Sequence, residues 1–282
     1  MAGLLSVPGG CTLITDLDHA DESAPAERAL PRRPRIAWVF GSGGPRGFVH
    51  VGVIKALDEL HLAPDLIVGS SAGALVGTLR AAGLKGREIE RLSLDLSPAV
   101  LANLAIGARE SFNGAPMAVW VHDQVRGRPL DDLPVAMACI AVRQDDGMIV
   151  GFTAGHAGVA VQASSAVEGR FTPVRIRGRR FVDPDWHCPL PVRRARALGA
   201  VRTLAVDASA HEDRAPRGAE AFAESDRRKR ALIRPDAAAA DVVLHPDIGY
   251  WASVSRTYRE RVIEAGYRHA MAHADKLRAL HG

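Results

Sequence analysis

Hydrophobic and polar positions fall into two kinds of block along the chain. Short, unbroken apolar runs are bounded by glycine or proline, and between them apolar residues recur every three or four positions. The first run, Ile36 to Phe40, lies between Pro34 and Gly41, the form of a strand buried on both faces of a parallel sheet. A helix is predicted from Phe48 to Leu60: Val49, Val53, Leu57 and Leu60 share one side, and Lys55, Asp58 and Glu59 fall on the other. Ala63-Pro64-Asp65 ends it, and Leu66 to Val68 predicts the next strand. The helix after Ser71 is rich in small residues, with Gly73 and Gly77 close to the sheet and Gly83 as its C-cap.

Further along, two hairpin signals appear. Val135–Val142 and Met148–Phe152 flank Asp145-Asp146-Gly147, and Val174–Ile176 and Arg180–Val182 flank Gly178. A helix is expected over Gly158–Val167, an arginine-rich one over Val192–Leu198, strands over Val201–Val206 and Val242–His245, and a long terminal helix over Ser253–Leu280. Residues 86–127 read as irregular helix forming a lid or wall, whereas residues 209–230 are polar and charged with no predicted element. The fold class that follows is α/β: a three-layer sandwich with a mainly parallel central sheet flanked by helices. Residues 1–34, with Pro8-Gly9-Gly10, an acidic patch and Pro31-Arg32-Arg33-Pro34, are expected to form a poorly ordered extension, and residues 35–282 the domain.

Composition narrows the class without touching the chemistry. A chain of 282 residues, 47% hydrophobic and 24% charged, suits one sizeable globular domain. Net charge is +4, too small an excess to imply nucleic acid, although Arg193-Arg194 and Arg227 to Arg230 could draw the protein to an anionic membrane surface. Cys11, Cys139 and Cys188 are odd in number and widely spaced, which gives neither a disulfide framework nor a zinc pattern. No leader or membrane-spanning run is evident, so a cytoplasmic location is expected.

Two strand-to-helix turns carry the candidate chemistry. Gly69-Ser70-Ser71-Ala72-Gly73 follows a buried strand and opens a helix, the form of a nucleophile elbow with Ser71 as nucleophile and Gly69 and Gly73 permitting the turn. The motif is short and also arises by chance in small-residue turns. Gly41-Ser42-Gly43-Gly44-Pro45-Arg46-Gly47 admits two readings. One is a loosened dinucleotide fingerprint, weakened because Gly69 and Ser70 stand where a ribose-binding acid is needed. The other is a set of backbone N–H groups aimed at a carbonyl held over Ser71.

These motifs resemble the patatin-like phospholipase family. Gly43-Gly44-Pro45-Arg46-Gly47 is similar to that family's oxyanion loop, Gly69 to Gly73 to its elbow, Ala163-Ser164-Ser165-Ala166 to a further segment, and Phe181-Val182-Asp183 with Pro189-Leu190-Pro191-Val192 to the strand carrying its aspartate. The resemblance covers roughly residues 36 to 208. It implies a serine acyl hydrolase acting on lipid or lysolipid esters, with Ser71 and Asp183 as a catalytic dyad and Gly43, Gly44, Arg46 and Gly47 around the oxyanion. It implies no metal and no cofactor, and leaves the oligomeric state unknown. An aspartate serves as base only if its environment raises its pKa. Three positions depart from the pattern: Ser42 replaces a usual glycine, Glu168 a frequent proline, and Pro184-Asp185 follow Asp183 where glycine is usual. Asp185 is therefore an alternative base, and a catalytically silent lipid-binding or regulatory protein an alternative function. A Ser–Asp–His triad would need His211 or His245, since His187 is too near Asp183 in sequence. His50 is expected to pack beside the glycine loop, and Arg46 to brace it or attract an anionic head group.

Overall fold

The computed structural model describes residues 17–96 and 114–282. Its strands are β1 (Asp18–His19), β2 (Ile36–Phe40), β3 (Leu66–Ser70), β4 (Ala136–Arg143), β5 (Ile149–Phe152), β6 (Val174–Ile176), β7 (Arg179–Val182), β8 (Arg202–Val206) and β9 (Val242–Leu244). They form one sheet in the order β1-β6-β7-β4-β3-β2-β8-β9, with β5 paired to β4. The run β4-β3-β2-β8-β9 is parallel, and β5 and β7 both lie antiparallel to β4. The helices are α1 (Val49–Glu59), α2 (Ala72–Ala81), α3 (Gly86–Asp95), α4 (Ala115–Gln124), α5 (Ala157–Ser164), α6 (Val192–Ala197), α7 (Ala223–Ala238), α8 (Arg256–Ala272) and α9 (Ala274–His281).

Period-two alternation in β2 shows how the layers arise. Trp38 and Phe40 join the larger core with Val53 and Leu57 of α1, Leu75 and Leu79 of α2 and Val262 of α8. Ala37 and Val39 face the other way, onto Leu190, Val192 and Ala195 at α6 and Ile233 of α7. Every β2 residue is buried, so an unbroken apolar run is what a strand covered on both faces requires. The parallel-dominated three-layer sandwich expected from the sequence is thus present.

Three segments differ from expectation. Residues 209–230 carried no predicted element, yet α7 begins within them at Ala223. Few of its residues are buried apolar ones; polar contacts seat it instead. Arg193 N–H and Nη2 donate to Asp236 at 2.7 and 3.0 Å, Lys229 Nζ to Asp185 at 2.6 Å, and Arg230 to buried Asp207 at 3.3 Å. The terminal helix is two helices, interrupted at His273, and starts at Arg256 with the Ser255 hydroxyl accepting from Tyr258 N–H at 3.2 Å. Within the expected extension, β1 pairs with β6 and Ala26 bridges to Ala154; residues 1–16 lie outside the described residues. So do residues 97–113 of the expected lid or wall, which otherwise contains α3 and α4.

Strand register places the two turns of interest. β2 lies between β3 and β8, so the chain departs from it in one direction and returns on its other side, making the carboxyl end of β2 a topological switch point. Gly41 N–H donates to Val206 O at the end of β8. Ser70 is level with Ile140 of β4, and Val182 of antiparallel β7 is level with Val142. β5 holds the other edge of β4 from Cys139 to Val142, so β3 and β7 follow one another along one edge, and continuing each ladder by one residue brings Ser71 and Asp183 together beside Ala141.

Candidate active site

Ser71 opens α2 with φ 54° and ψ −121°, a conformation that costs a side-chain-bearing residue about 1–3 kcal/mol. Packing enforces it. A Cβ on Gly69 would lie 2.4 Å from Gly73 O, and one on Gly73 would lie 2.1 Å from Phe40 O, so the expected elbow glycines let strand, turn and helix touch. The Ser71 N–H donates to Ser164 Oγ at 2.9 Å, at the end of α5. Two residues on, Ala166 O accepts the Asp183 N–H at 2.9 Å. The 163–166 segment therefore braces both members of the expected dyad, a role its sequence did not disclose.

Asp183 is buried, with 6% of its surface exposed. Its Oδ1 accepts the Asp185 N–H at 2.8 Å, while Oδ2 is buried with no hydrogen-bond partner among the described residues. Burial, reinforced by the negative charge of Asp185, pushes the Asp183 carboxyl up to about 7; the nearby Ser71 hydroxyl and the Asp185 N–H oppose the rise. Pro184 does not derail this turn. It holds Asp183 extended, at φ −59° and ψ 135°, and starts a single 3-10 turn, Pro184–Trp186, capped by the Asp183 carboxylate itself.

Asp185 sits differently. Its Oδ1 accepts from both the Ser42 hydroxyl and, at 2.6 Å, Lys229 Nζ. Burial would raise its pKa, but the Lys229 charge and hydrogen bond, the Ser42 hydroxyl and the Arg46 charge together hold it below the ordinary carboxylate value. The alternative base is therefore an ion-paired, weakly basic group.

Across the switch point the glycine loop lies against the elbow. Ser42 N–H donates to Pro189 O at 2.8 Å, and Gly47 faces Ala72 so closely that a Cβ there would lie 2.3 Å from the Ala72 Cβ. Arg46 N–H is spent on Gly43 O at 3.0 Å, and its guanidinium donates to Tyr250 O at 2.6 Å; of its two expected roles, bracing is the one made. Gly47 is enclosed in the short 3-10 helix Gly44–Phe48. Among the described residues, the Gly43 and Gly44 N–H groups are left without acceptors. His50, fully buried and lowered to about 4 by desolvation, is neutral; its Nε2–H donates to Gly41 O at 2.8 Å and secures the start of the loop.

The remaining histidines gather elsewhere. His211 and His245 stack with ring centroids 3.8 Å apart, and His245 hydrogen-bonds Ser209 O at 3.0 Å near Asp207, not Ser71 or Asp183. An apolar crevice beside Ala72 is lined by Pro45, Phe48, Leu75, Val76 and Val254. A larger cavity between α4, α5 and β6, with Val119, His122, His156 and Val159 in its wall, includes neither Ser71 nor Asp183. Cys139 and Cys188 are buried free thiols.

Comparison with known proteins agrees with the family resemblance. The family model described as patatin-like phospholipase matches residues 38–184. An uncharacterized NTE family protein of Mycobacterium tuberculosis is 33% identical over 233 residues, 77% of this chain and 62% of that protein. Lysophospholipase NTE1 of Coccidioides immitis is 28% identical over 197 residues, 65% of this chain and 12% of that protein. The chain thus spans less than two thirds of the length of these curated relatives. Among solved structures, VipD from Legionella pneumophila is similar in fold, with a TM-score of 0.51 at 13% identity over 88% of this chain and 68% of that chain.

Proposed function

Because the chain belongs to the patatin-like phospholipase family, we propose that it is a serine acyl hydrolase cleaving acyl esters of phospholipids or lysophospholipids. The observation that carries this is the free Asp183 Oδ2: a buried carboxylate oxygen without a hydrogen-bond partner among the described residues, on a carboxyl that is raised in basicity and near the Ser71 hydroxyl. In the proposed reaction Ser71 Oγ attacks the acyl carbonyl and its proton passes to Asp183 Oδ2. The N–H groups of Gly43 and Gly44 hold the oxyanion, and Asp183 returns the proton to the departing alcohol. Water, deprotonated by the same carboxylate, then attacks the acyl-enzyme and releases the fatty acid. The crevice lined by Phe48, Leu75, Val76 and Val254 would receive the first part of the acyl chain. A lysophospholipase among the relatives supports a lipid ester as substrate. The extended Asp183 backbone at the Pro184 turn and its unpartnered Oδ2 favour turnover over a silent lipid-binding role.

Fluorophosphonate labelling tests the reading directly. Ser71 is expected to be labelled, Ser71→Ala to abolish both labelling and hydrolysis of a chromogenic short-chain ester, and an unlabelled, inert wild-type protein would overturn the assignment.

No helix among the described residues is long and apolar enough to cross a membrane. Three exposed aromatic residues, Trp186, Phe222 and Trp251, lie on segments linked to the site. Trp186 follows Asp185 and lies under Arg228, while Trp251 packs on Phe222 and Tyr250, whose carbonyl holds Arg46. Such side chains favour the lipid–water boundary. Replacing Phe222 and Trp251 together by alanine is expected to slow hydrolysis of vesicle phospholipid about tenfold, the ~1.4 kcal/mol of two weakened ring contacts. Hydrolysis of a soluble ester should be unchanged; equal loss on both substrates would refute interfacial docking by these rings.

A further inference from the structure

Two of the positions that depart from the family pattern, Ser42 and Asp185, lie 143 residues apart and hydrogen-bond to one another. The same Asp185 oxygen accepts Lys229 Nζ from α7 at 2.6 Å, and the Asp185 N–H holds Asp183 Oδ1 at 2.8 Å. One residue therefore joins the glycine loop, the Asp183 turn and α7. From this we infer that the Asp185–Lys229 pair is a positioning device: it orients Asp183 so that Oδ2 faces Ser71, and its charge balance sets how firmly Asp183 holds a proton. The inference rests on Asp183 being the base of the proposed reaction.

The physical basis is the geometry of two carboxylates two residues apart in one tight turn. With Oδ1 occupied by the Asp185 N–H, only Oδ2 remains for the serine proton. An ionised Asp185 beside it disfavours a second negative charge, and Lys229 offsets part of that repulsion. The groups facing the two carboxylates are Lys229 from α7, Arg46 and Ser42 from the glycine loop, and Ser71 from the elbow. Lys229 and Asp185 are both mostly enclosed, at 17% and 26% side-chain exposure, so their charges are screened less than those of a surface pair. A glycine at position 42 would supply no hydroxyl to Asp185.

The two ends of the pair predict opposite effects. Asp185→Asn keeps the backbone N–H and the side-chain size but removes the charge. The midpoint of Asp183 titration, followed by carbon NMR of its carboxyl, is expected to fall by about one pH unit or more. Lys229→Gln leaves Asp185 uncompensated and is expected to move the same midpoint upward, with Lys229→Arg restoring it. The acid limb of the kcat/KM profile should move with the titration in each case. Midpoints that stay fixed, or move in the same direction in both variants, would show a merely structural brace and overturn the proposal. Opposite shifts in a protein that neither labels at Ser71 nor hydrolyses esters would sustain the electrostatic coupling and remove the hydrolase reading. If Asp185→Asn fails to fold, the upward shift in Lys229→Gln and its reversal in Lys229→Arg decide alone.

Discussion

Replacing Asp183 by asparagine is expected to reduce ester turnover by about three orders of magnitude, the scale of a lost general base, while making the protein more stable. Both effects follow from one feature. The carboxyl is buried and lifted from 3.8 to about 7, so the folded state prefers it neutral. A group whose folded pKa lies above its unfolded value contributes stability that is complete below the unfolded pKa and disappears as pH rises through the folded one. Wild type therefore carries the full penalty of an ionised Asp183 at pH 8 and much less of it at pH 5. The asparagine variant carries none. Three pKa units set a ceiling of about 4 kcal/mol, and a gain of about 1–3 kcal/mol at pH 8 is expected once the turn relaxes. Thermal melts at pH 5 and pH 8 check it: Asp183→Asn should raise Tm at both, and more at pH 8. The wild-type rate should correspondingly rise with pH through about 7 rather than about 4, because only the ionised carboxylate accepts the serine proton. An unchanged Tm difference between the two pH values, or a rate already at its plateau at pH 5, would contradict the buried, raised carboxylate.

What was legible in the sequence is what local pattern can encode. β2 and β3 were visible because strands covered on both faces must be apolar throughout, and the elbow because a serine in a tight strand-to-helix turn needs glycine around it. The register that brings Ser71 and Asp183 level is set by contacts between β3, β4 and β7; the motifs implied the pairing without showing how it is achieved. α7 escaped because ion pairs of its Lys229, Arg230 and Asp236 with Asp185, Asp207 and Arg193 seat it, and hydrophobic periodicity cannot register such contacts. The same limit hid the role of Asp185. Read as a spare base next to a proline, it is bound to Ser42 and Lys229, partners 143 and 44 residues away. Pro184 looked disruptive by its chemistry, yet the extended conformation it imposes on Asp183 is the one the turn uses.

A single methyl group on Gly47 is expected to cost catalysis more than stability. The glycine loop and the elbow are built on separate strands, and their relative position is fixed where Gly47 meets Ala72: an added Cβ would stand 2.3 Å from the Ala72 Cβ, with the next atoms of Ala72 at 3.6 and 3.7 Å. Gly47 has no need of a left-handed conformation, since its φ is not among the positive ones, so the conflict is purely one of contact. Gly47→Ala must push the loop away from α2, and the Gly43 and Gly44 N–H groups move with it. Misplacing a donor by a fraction of an ångström approaches the loss of that donor, so kcat should fall about a hundredfold, ~2.7 kcal/mol in the transition state. KM should rise as well, because Gly44, Pro45, Gly47, Phe48 and Ala72 all line the acyl crevice. The clash has one partner and a matching remedy. Ala72→Gly removes the opposing methyl, and the double variant Gly47→Ala/Ala72→Gly should recover most of the lost rate, less about 1 kcal/mol of helix stability from glycine at the start of α2. A double variant no faster than Gly47→Ala would mean that the loop is not held in register by this contact, and the placing of the oxyanion donors would have to come from Ser42 and His50 at its other end.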